Sequence, residues 1–141
     1  MNQVPIINGQ AYDWASIDFH LLGTKVFGVT AIEYSEKQDK VNNYGSGTEP
    51  TSRGRGKVEY SGKITLEEKE VRRVLAALPK GKNLRHIPPF TITVSYLVGT
   101  QPVTDKVLMC EFTGQSIKAK TGDTSIENEL ELVVGGIQWG R

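Results

Sequence analysis

The sequence predicts a mainly β protein: a sandwich or barrel of about six to eight antiparallel strands with one flanking α-helix. Three observations support this fold class. Several runs alternate apolar and polar residues with a period of two, which is typical of half-buried strands. A single segment has the 3.6-residue apolar period of an amphipathic helix. The chain has 141 residues, the size of one domain, so we expect residues 1–141 to share one core.

The first half of the chain contains three predicted strands and the helix. Residues 17–22 and 25–34 alternate on either side of a Gly-Thr turn, and residues 57–64 form the third strand. Thr65 followed by Glu68 has the spacing of a capping box, which predicts a helix start at Thr65. The helix would end before Pro79 and bury the stripe Val71, Val74, Leu75 and Leu78.

The second half is predicted to be strands and turns. Residues 90–98 and 106–113 alternate, with Val107, Met109 and Glu111 expected on one side of the latter. Residues 115–120 are expected to continue that strand before a turn at residues 121–124. The last strand, residues 126–134, alternates most regularly, and its expected core side is Ile126, Asn128, Leu130, Leu132 and Val134.

Residues 35–56 are predicted to be a long polar loop. They are rich in Asn, Gly, Ser and charged residues, which favour turns, and Val41 and Tyr44 are the apolar side chains in them. Loops of this length are uncommon in compact domains and are usually functional or disordered. Two interpretations follow: a mobile surface insertion, or a segment that docks on something outside its own subunit.

Composition excludes several function classes. Seventeen Lys and Arg oppose sixteen Asp and Glu, giving a net charge of +1, which does not fit a strongly basic nucleic-acid binder. One cysteine excludes an intrachain disulfide framework, and one cysteine with two histidines cannot form a Cys/His zinc cage within one chain. The sequence has neither an apolar membrane-spanning helix nor a signal peptide at its start, so we expect synthesis in a reducing intracellular compartment.

No catalytic constellation is recognisable in the sequence. His20 and His86 have no nucleophile or carboxylate at a spacing that would support catalysis, so both are interpreted as structural or surface residues. Cys110 lies among apolar residues and is expected to be buried and unreactive. The glycine-rich segments lack phosphate-loop spacing. We therefore expect no enzyme activity and no cofactor.

Two rows of like charge stand out. Arg53, Arg55 and Lys57 alternate with glycine, so three cations are expected on one side of an extended segment. Glu127, Glu129 and Glu131 form the corresponding acidic row. Each row has two interpretations, a solvated strand face or a surface that meets a partner or lines a passage.

Several segments in order resemble bacteriophage tail tube proteins of the kind found in bacterial prophages. They are Asn8-Gly-Gln-Ala-Tyr-Asp-Trp14, Ile32-Glu-Tyr-Ser-Glu-Lys-Gln38, Asn42-Asn-Tyr-Gly-Ser-Gly47, residues 50–56, Gly62-Lys-Ile-Thr-Leu-Glu-Glu68, and Phe112 with the Thr121-Gly-Asp-Thr124 turn and the alternating last strand. The resemblance spans almost the whole chain, and its motifs are structural rather than catalytic.

The resemblance implies a β-barrel or sandwich with a flanking helix, in hexameric rings that stack into a hollow conduit for DNA or an effector. The same fold is shared by the tubes of type VI secretion and phage-like injection devices. The implied partners are other copies of the chain, and tail sheath, tape measure and baseplate proteins, with DNA only in transit and no membrane. The implied location is a virion tail, assembled in the host bacterial cytoplasm.

We expect one set of residues to face the passage of such a tube and another to lie at subunit contacts. The expected passage residues are Glu127, Glu129, Glu131, Thr91, Thr93 and Ser95; the expected contact residues are Arg53, Arg55, Lys57, Val41 and Tyr44. A competing arrangement has the glutamates facing outward to meet those cations on a neighbour or a sheath protein.

The alternative function is a small monomeric β-barrel module that binds a ligand or a nucleic acid. Such a module needs exposed aromatic or basic residues on a concave face. Tyr60, Tyr96, Arg53 and Arg55 are the candidates.

Overall fold

The computed structural model describes residues 4–114 and 127–140, and within them it shows eleven strands, one α-helix and one 3-10 turn. The strands are β1 (Ile6–Ile7), β2 (Gln10–Ala11), β3 (Ala15–Asp18), β4 (His20–Leu21), β5 (Thr24–Lys25), β6 (Val29–Tyr44), β7 (Pro50–Glu67), β8 (Phe90–Val98), β9 (Gln101–Phe112), β10 (Glu127–Val133) and β11 (Gly136–Gln138). Helix α1 spans Glu68–Ala77 and the 3-10 turn spans Leu84–His86.

Nine strands form one sheet. The order is β2-β1-β6-β7-β10-β9-β8-β3, and β11 adds to β9 beside the end of β10. The pairing is antiparallel except between β1 and β6, and β4 with β5 forms a separate small sheet. This confirms the predicted fold class, mainly β with one helix. Among the described residues, no helix has the length and apolar character needed to cross a membrane.

The core lies on one face of the sheet and under α1. In β8, Ile92 and Val94 are fully buried while Thr91 is exposed, as the alternation predicts. In β10, the predicted core side is buried at Asn128, Leu130 and Leu132, and the glutamates point away from it. These two strands are confirmed because each has one apolar face that only one register can bury.

Helix α1 begins later than predicted. Thr65 lies in β7, where it pairs with Ala31 on one side and Glu129 on the other, so the predicted capping box is wrong. The helix starts after Glu67, whose side chain makes no capping hydrogen bond. The Glu67 N–H donates a hydrogen bond to the Gly28 carbonyl oxygen at 3.0 Å. The apolar stripe is confirmed, with Val71 and Val74 buried.

A β-bulge in β9 changes which of its residues are buried. Phe90 pairs with Cys110 and Ile92 with Val107, so Leu108 and Met109 together face Thr91. Met109 adopts φ 54° and is exposed, whereas Val107, Cys110 and Phe112 are all buried. The prediction that Val107 and Met109 share a side is therefore wrong, because the extra residue shifts the alternation.

The predicted loop at residues 35–56 is instead most of a β-hairpin. Strand β6 extends to Tyr44 and β7 begins at Pro50, so residues 45–49 alone connect them. The composition misled the prediction because both faces of these strands are polar. The backbone groups of each arm form hydrogen bonds with those of the other arm, so neither arm needs an apolar face. The predictions for residues 115–126, a continued strand and a turn, lie outside the described residues.

Candidate assembly surface

The outer part of the β6–β7 hairpin projects beyond the core. We call residues 35–44 and 50–60, with their connection, the distal hairpin. Almost all of its residues are exposed, and at about 3.3 Å per residue its β6 arm is roughly 30 Å long. Val41 and Tyr44, the predicted contact residues, are 62% and 60% exposed. An extended ribbon with two solvent-exposed faces and exposed apolar side chains is suited to contacting another molecule.

The three predicted contact cations do not share one face. Arg55 pairs with Lys40 and Arg53 with Asn42, whose Oδ1 accepts a hydrogen bond from Arg53 Nε at 3.2 Å. Between the Gln38–Val58 and Lys40–Arg55 pairs, β7 contains one residue more than β6. This bulge places Lys57 with Asp39 on the other face. The expectation of three cations on one side is therefore wrong, and Lys40 takes the place of Lys57 beside the two arginines.

The predicted acidic row lies on the face of the sheet turned away from the core. Glu127, Glu129 and Glu131 are exposed. Lys63, on the neighbouring strand, pairs with Glu131 in register and lies 3.5 Å from a carboxylate oxygen of Glu129. Glu33 is on the other side of Lys63. The row is thus partly neutralised within its own subunit, and exposed pairs of this kind contribute little stability.

A shallow depression of about 510 Å³ lies beside this row. The exposed polar side chains of Glu33, Ser35, Ser61 and Lys63 line it together with Glu131. Ser35 and Ser61 hydroxyls are 2.8 Å apart. Asn8, Tyr34, Gly62 and Leu132 complete the lining.

The other predicted passage residues lie on the same side of the sheet, on a different strand. Thr91, Thr93 and Ser95 point away from the core on β8, where Thr93 pairs with Lys106 and Ser95 with Thr104. Strand β9 separates them from the glutamates, and Glu111 is exposed on it beside Val133. The structure therefore places all six residues on the side of their strands turned away from the core, without bringing the two groups into contact.

The root of the hairpin is tied to the sheet by a buried carboxylate that sequence reasoning did not single out. Asp105 is 1% exposed and accepts hydrogen bonds from the Tyr34 hydroxyl, from the Tyr96 hydroxyl at 3.0 Å and from the Gly140 N–H at 2.6 Å. Burial, and then the bond to Asp105, raises the pKa of Tyr96 to about 12 and that of Tyr34 well above its usual value. Both phenols are therefore neutral donors at ordinary pH.

Removing that carboxylate should destabilise the subunit. For Asp105→Ala we expect the free energy of unfolding to fall by about 3 kcal/mol, because three donors lose a buried acceptor. Asp105→Asn, which keeps an acceptor oxygen, should lose less. Urea denaturation of the two variants measures the difference. Equal losses in the two variants would show that the hydrogen bonds contribute little.

Cys110 and His86 are both engaged within the fold. Cys110 is fully buried, and burial raises its thiol pKa to about 12. His86 Nδ1 accepts a hydrogen bond from the Asn83 N–H at 2.9 Å, which closes the 3-10 turn. Within residues 4–114 and 127–140, no three His, Cys, Asp or Glu side chains come together as a metal site.

The aromatic residues named for a ligand-binding platform are engaged elsewhere. Tyr96 packs on Tyr12 with ring centroids 4.7 Å apart and donates to Asp105. Tyr60 is half-buried against the core. Arg53 and Arg55 lie on the exposed arm of β7, beyond Tyr60. The described residues do not bring these four into one concave surface.

The fold is similar to that of chains in solved structures of injection particles. The cryo-EM structure of the anti-feeding prophage cap, the AFP tube-terminating cap, contains a chain that matches with a TM-score of 0.58 at 15% identity, over 99% of this chain and 93% of that one. A chain of the PVC extracellular contractile injection system, from its sheath–tube complex in the extended state, gives 0.53 at 17% identity, over 87% and 86%.

A third similar chain comes from the AFP baseplate, with a TM-score of 0.53 at 12% identity over 99% of this chain and 97% of that one. No protein-family model matches the sequence, and no curated protein matches it. At these identities the likeness concerns the fold. The chain has the fold of tube-related components of phage-tail-like particles, as the sequence resemblance implied.

Proposed function

We propose that this chain is a non-enzymatic structural subunit of a phage or prophage tail tube, or of a related injection device. In this proposal it forms hexameric rings that stack into a hollow conduit. The observation that supports it most is the distal hairpin, which projects from the core of a tube-related fold with its faces and the apolar side chains of Val41, Tyr44 and Val58 unburied. Its partners are copies of itself, with sheath, tape measure and baseplate proteins at the outer surface, lumen and ends.

Edge geometry supports self-assembly. In the described residues, β6 beyond Ile32 and β7 before Ser61 pair with each other and with no further strand. Exposed edges of this length are aggregation-prone in a monomer, and closed rings of identical subunits remove them. Pairing of these edges with a neighbouring copy would give each subunit the same contact and close the ring.

The charge distribution supports a passage on the outer sheet face. DNA carries a phosphate charge about every 1.7 Å of duplex axis, so a cationic wall would hold it through many weak contacts. Glu127, Glu129 and Glu131 on β10 and Thr91, Thr93 and Ser95 on β8 supply acidic and neutral groups to this face. Lys63 and Lys106 are the cations paired beside them. We propose that this face lines the passage, although the chain as a whole is nearly neutral.

Assembly of the purified protein tests the proposal. We expect light scattering to show a species of six subunits as concentration rises, and negative-stain electron microscopy to show rings or tubes. Tubes indicate a tube subunit, whereas rings that do not stack indicate a terminating or baseplate ring. A strict monomer at millimolar concentration, with no rings in the images, would contradict the proposal and favour the monomeric binding module.

A further inference from the structure

The segment that follows β11 connects two parts of the molecule that no strand pairing joins there. We call Trp139 and Gly140 the strap. Trp139 Nε1 donates a hydrogen bond to Glu36 Oε1 at 2.9 Å, and its ring lies 5.4 Å from that of Tyr34. Both partners belong to β6, at the point where the strand leaves the core. Glu36 is already part of the distal hairpin.

The other end of the strap is anchored in the sheet. The Gly140 N–H donates to the buried Asp105 of β9, and a side chain at this position has no room. A Cβ on residue 140 would lie 2.7 Å from the Thr104 backbone nitrogen and closer still to the Thr104 carbonyl oxygen. Glycine is therefore required for the close approach of the strap to β9. The register of β11, with Gln138 opposite Lys106, brings the chain to this point.

The two anchors converge on one hydrogen-bonded group. Asp105 also accepts from Tyr34, the residue on which Trp139 packs, and from Tyr96 of β8. The strap, β8, β9 and the root of the hairpin thus share a single carboxylate. A two-stranded ribbon that protrudes by itself bends and twists easily, so its direction depends on what holds its root.

We propose that the strap is a positioning element that fixes the direction in which the distal hairpin leaves the sheet. Trp139 and Glu36 are positioning residues, because they act on the contacts made by the hairpin tip. The effect on hairpin order concerns the isolated subunit. The effect on assembly rests on the proposed function, in which the tip must reach a neighbouring copy.

Hydrogen exchange of the full chain tests the first effect. For Trp139→Ala we expect amides of residues 35–44 to exchange about tenfold faster, the change that loss of one hydrogen bond with its packing would produce. Exchange in β8 and β10 should stay unchanged. Trp14→Ala is the matched control, since Trp14 is 47% exposed and Trp139 43%, and it should leave the hairpin unchanged.

A second pair of variants separates the strap bond from a general loss of packing. Glu36→Gln keeps an acceptor oxygen for the indole N–H and should behave as the wild type. Glu36→Ala loses the hydrogen bond but keeps the packing of Trp139 on Tyr34, so it should speed hairpin exchange by less than Trp139→Ala does. If the hairpin exchanges equally in Trp139→Ala and the wild type, or equally in the two Glu36 variants, the strap proposal is overturned.

Assembly measurements distinguish the two proposals. If the wild type forms rings, the concentration needed should rise about tenfold in Trp139→Ala and stay unchanged in Trp14→Ala. An unchanged threshold in Trp139→Ala would overturn the assembly role of the strap. If the wild type forms no rings but hairpin amides still exchange faster in Trp139→Ala than in the wild type, the proposed function fails. The proposal that the strap positions the hairpin then stands.

Discussion

Removal of the hairpin tip should abolish assembly and leave the subunit folded. The structure suggests a specific replacement: residues 41–54 exchanged for the dipeptide Asn-Gly. Lys40 and Arg55 are paired across the hairpin, and Asn-Gly between paired strand residues favours a tight type I′ turn that preserves their register. The replaced residues are almost all exposed. We therefore expect the free energy of unfolding to change by less than about 1 kcal/mol.

The loss of assembly is expected to be complete because the exposed side chains Val41, Tyr44 and Arg53 of the tip are proposed subunit contacts. Light scattering and electron microscopy measure it, and urea denaturation checks the fold of the shortened chain. A shortened chain that still forms rings and tubes at the wild-type concentration would show that the hairpin tip is not a subunit contact.

Point variants test the same surface without a deletion. Val41→Ser with Tyr44→Ser should raise the concentration needed for assembly, because two exposed apolar side chains would no longer be buried at a contact. Val98→Ser is the matched control, since Val98 is 53% exposed at the end of β8. An effect of the control as large as that of the double variant would point to general surface hydrophobicity instead.

Reversal of the acidic row should convert the proposed passage into a surface that retains DNA. For the triple variant Glu127→Lys, Glu129→Lys and Glu131→Lys, we expect tubes that still assemble but bind duplex DNA. Every phosphate that a new lysine neutralises should make binding more salt-dependent, with a slope near −0.9 per phosphate. The measurement is DNA retention by sedimented tubes between about 50 and 200 mM salt, a range over which such binding weakens strongly.

Two further sets of variants should show how DNA retention depends on the charge of the proposed passage. Changing the three glutamates to glutamine removes charge without adding cations, and should retain little DNA. Changing Thr91, Thr93 and Ser95 to lysine adds three cations to the other proposed part of the same wall, and should retain DNA as the glutamate reversal does. The loss of the Lys63–Glu129 pair should cost little, because both side chains are exposed.

Failure of assembly in the lysine triple variant would support the competing arrangement. In that case the glutamates would meet the cations of a neighbouring copy, where Lys40, Arg53 and Arg55 lie on one face of the distal hairpin. An additional reversal of Arg53 and Arg55 to glutamate should then restore assembly. That outcome would move the glutamates out of the passage and into a contact.

The fold class and the elements with a single apolar face can be predicted from the sequence alone. The register of β10 follows from Leu130 and Leu132 alternating with glutamates, and the face of β8 follows from Ile92 and Val94. The apolar stripe of α1 is also predicted by its 3.6-residue period. In each case burial of a periodic apolar face has one solution, so local pattern and tertiary structure agree.

The positions at which the chain departs from its periodicity depend on contacts made in the folded molecule. The bulges opposite Asp39 and Thr91 each add one residue to a strand and so move Lys57 and Met109 to other faces than alternation predicts. The distal hairpin was missed because strands that project from a core need no apolar face. Thr65 and Leu66 became strand because β6 and β10 pair with them on both sides, and Glu67 pairs with Glu127 of β10.

The contacts of the hairpin root likewise cannot be predicted from the sequence. Asp105 is 71 residues from Tyr34 and 35 from Gly140, and Trp139 is 103 residues from Glu36. No local period relates residues so far apart. The sheet brings β6, β9 and the strap together, and the cost of leaving a buried carboxylate without donors then selects this arrangement.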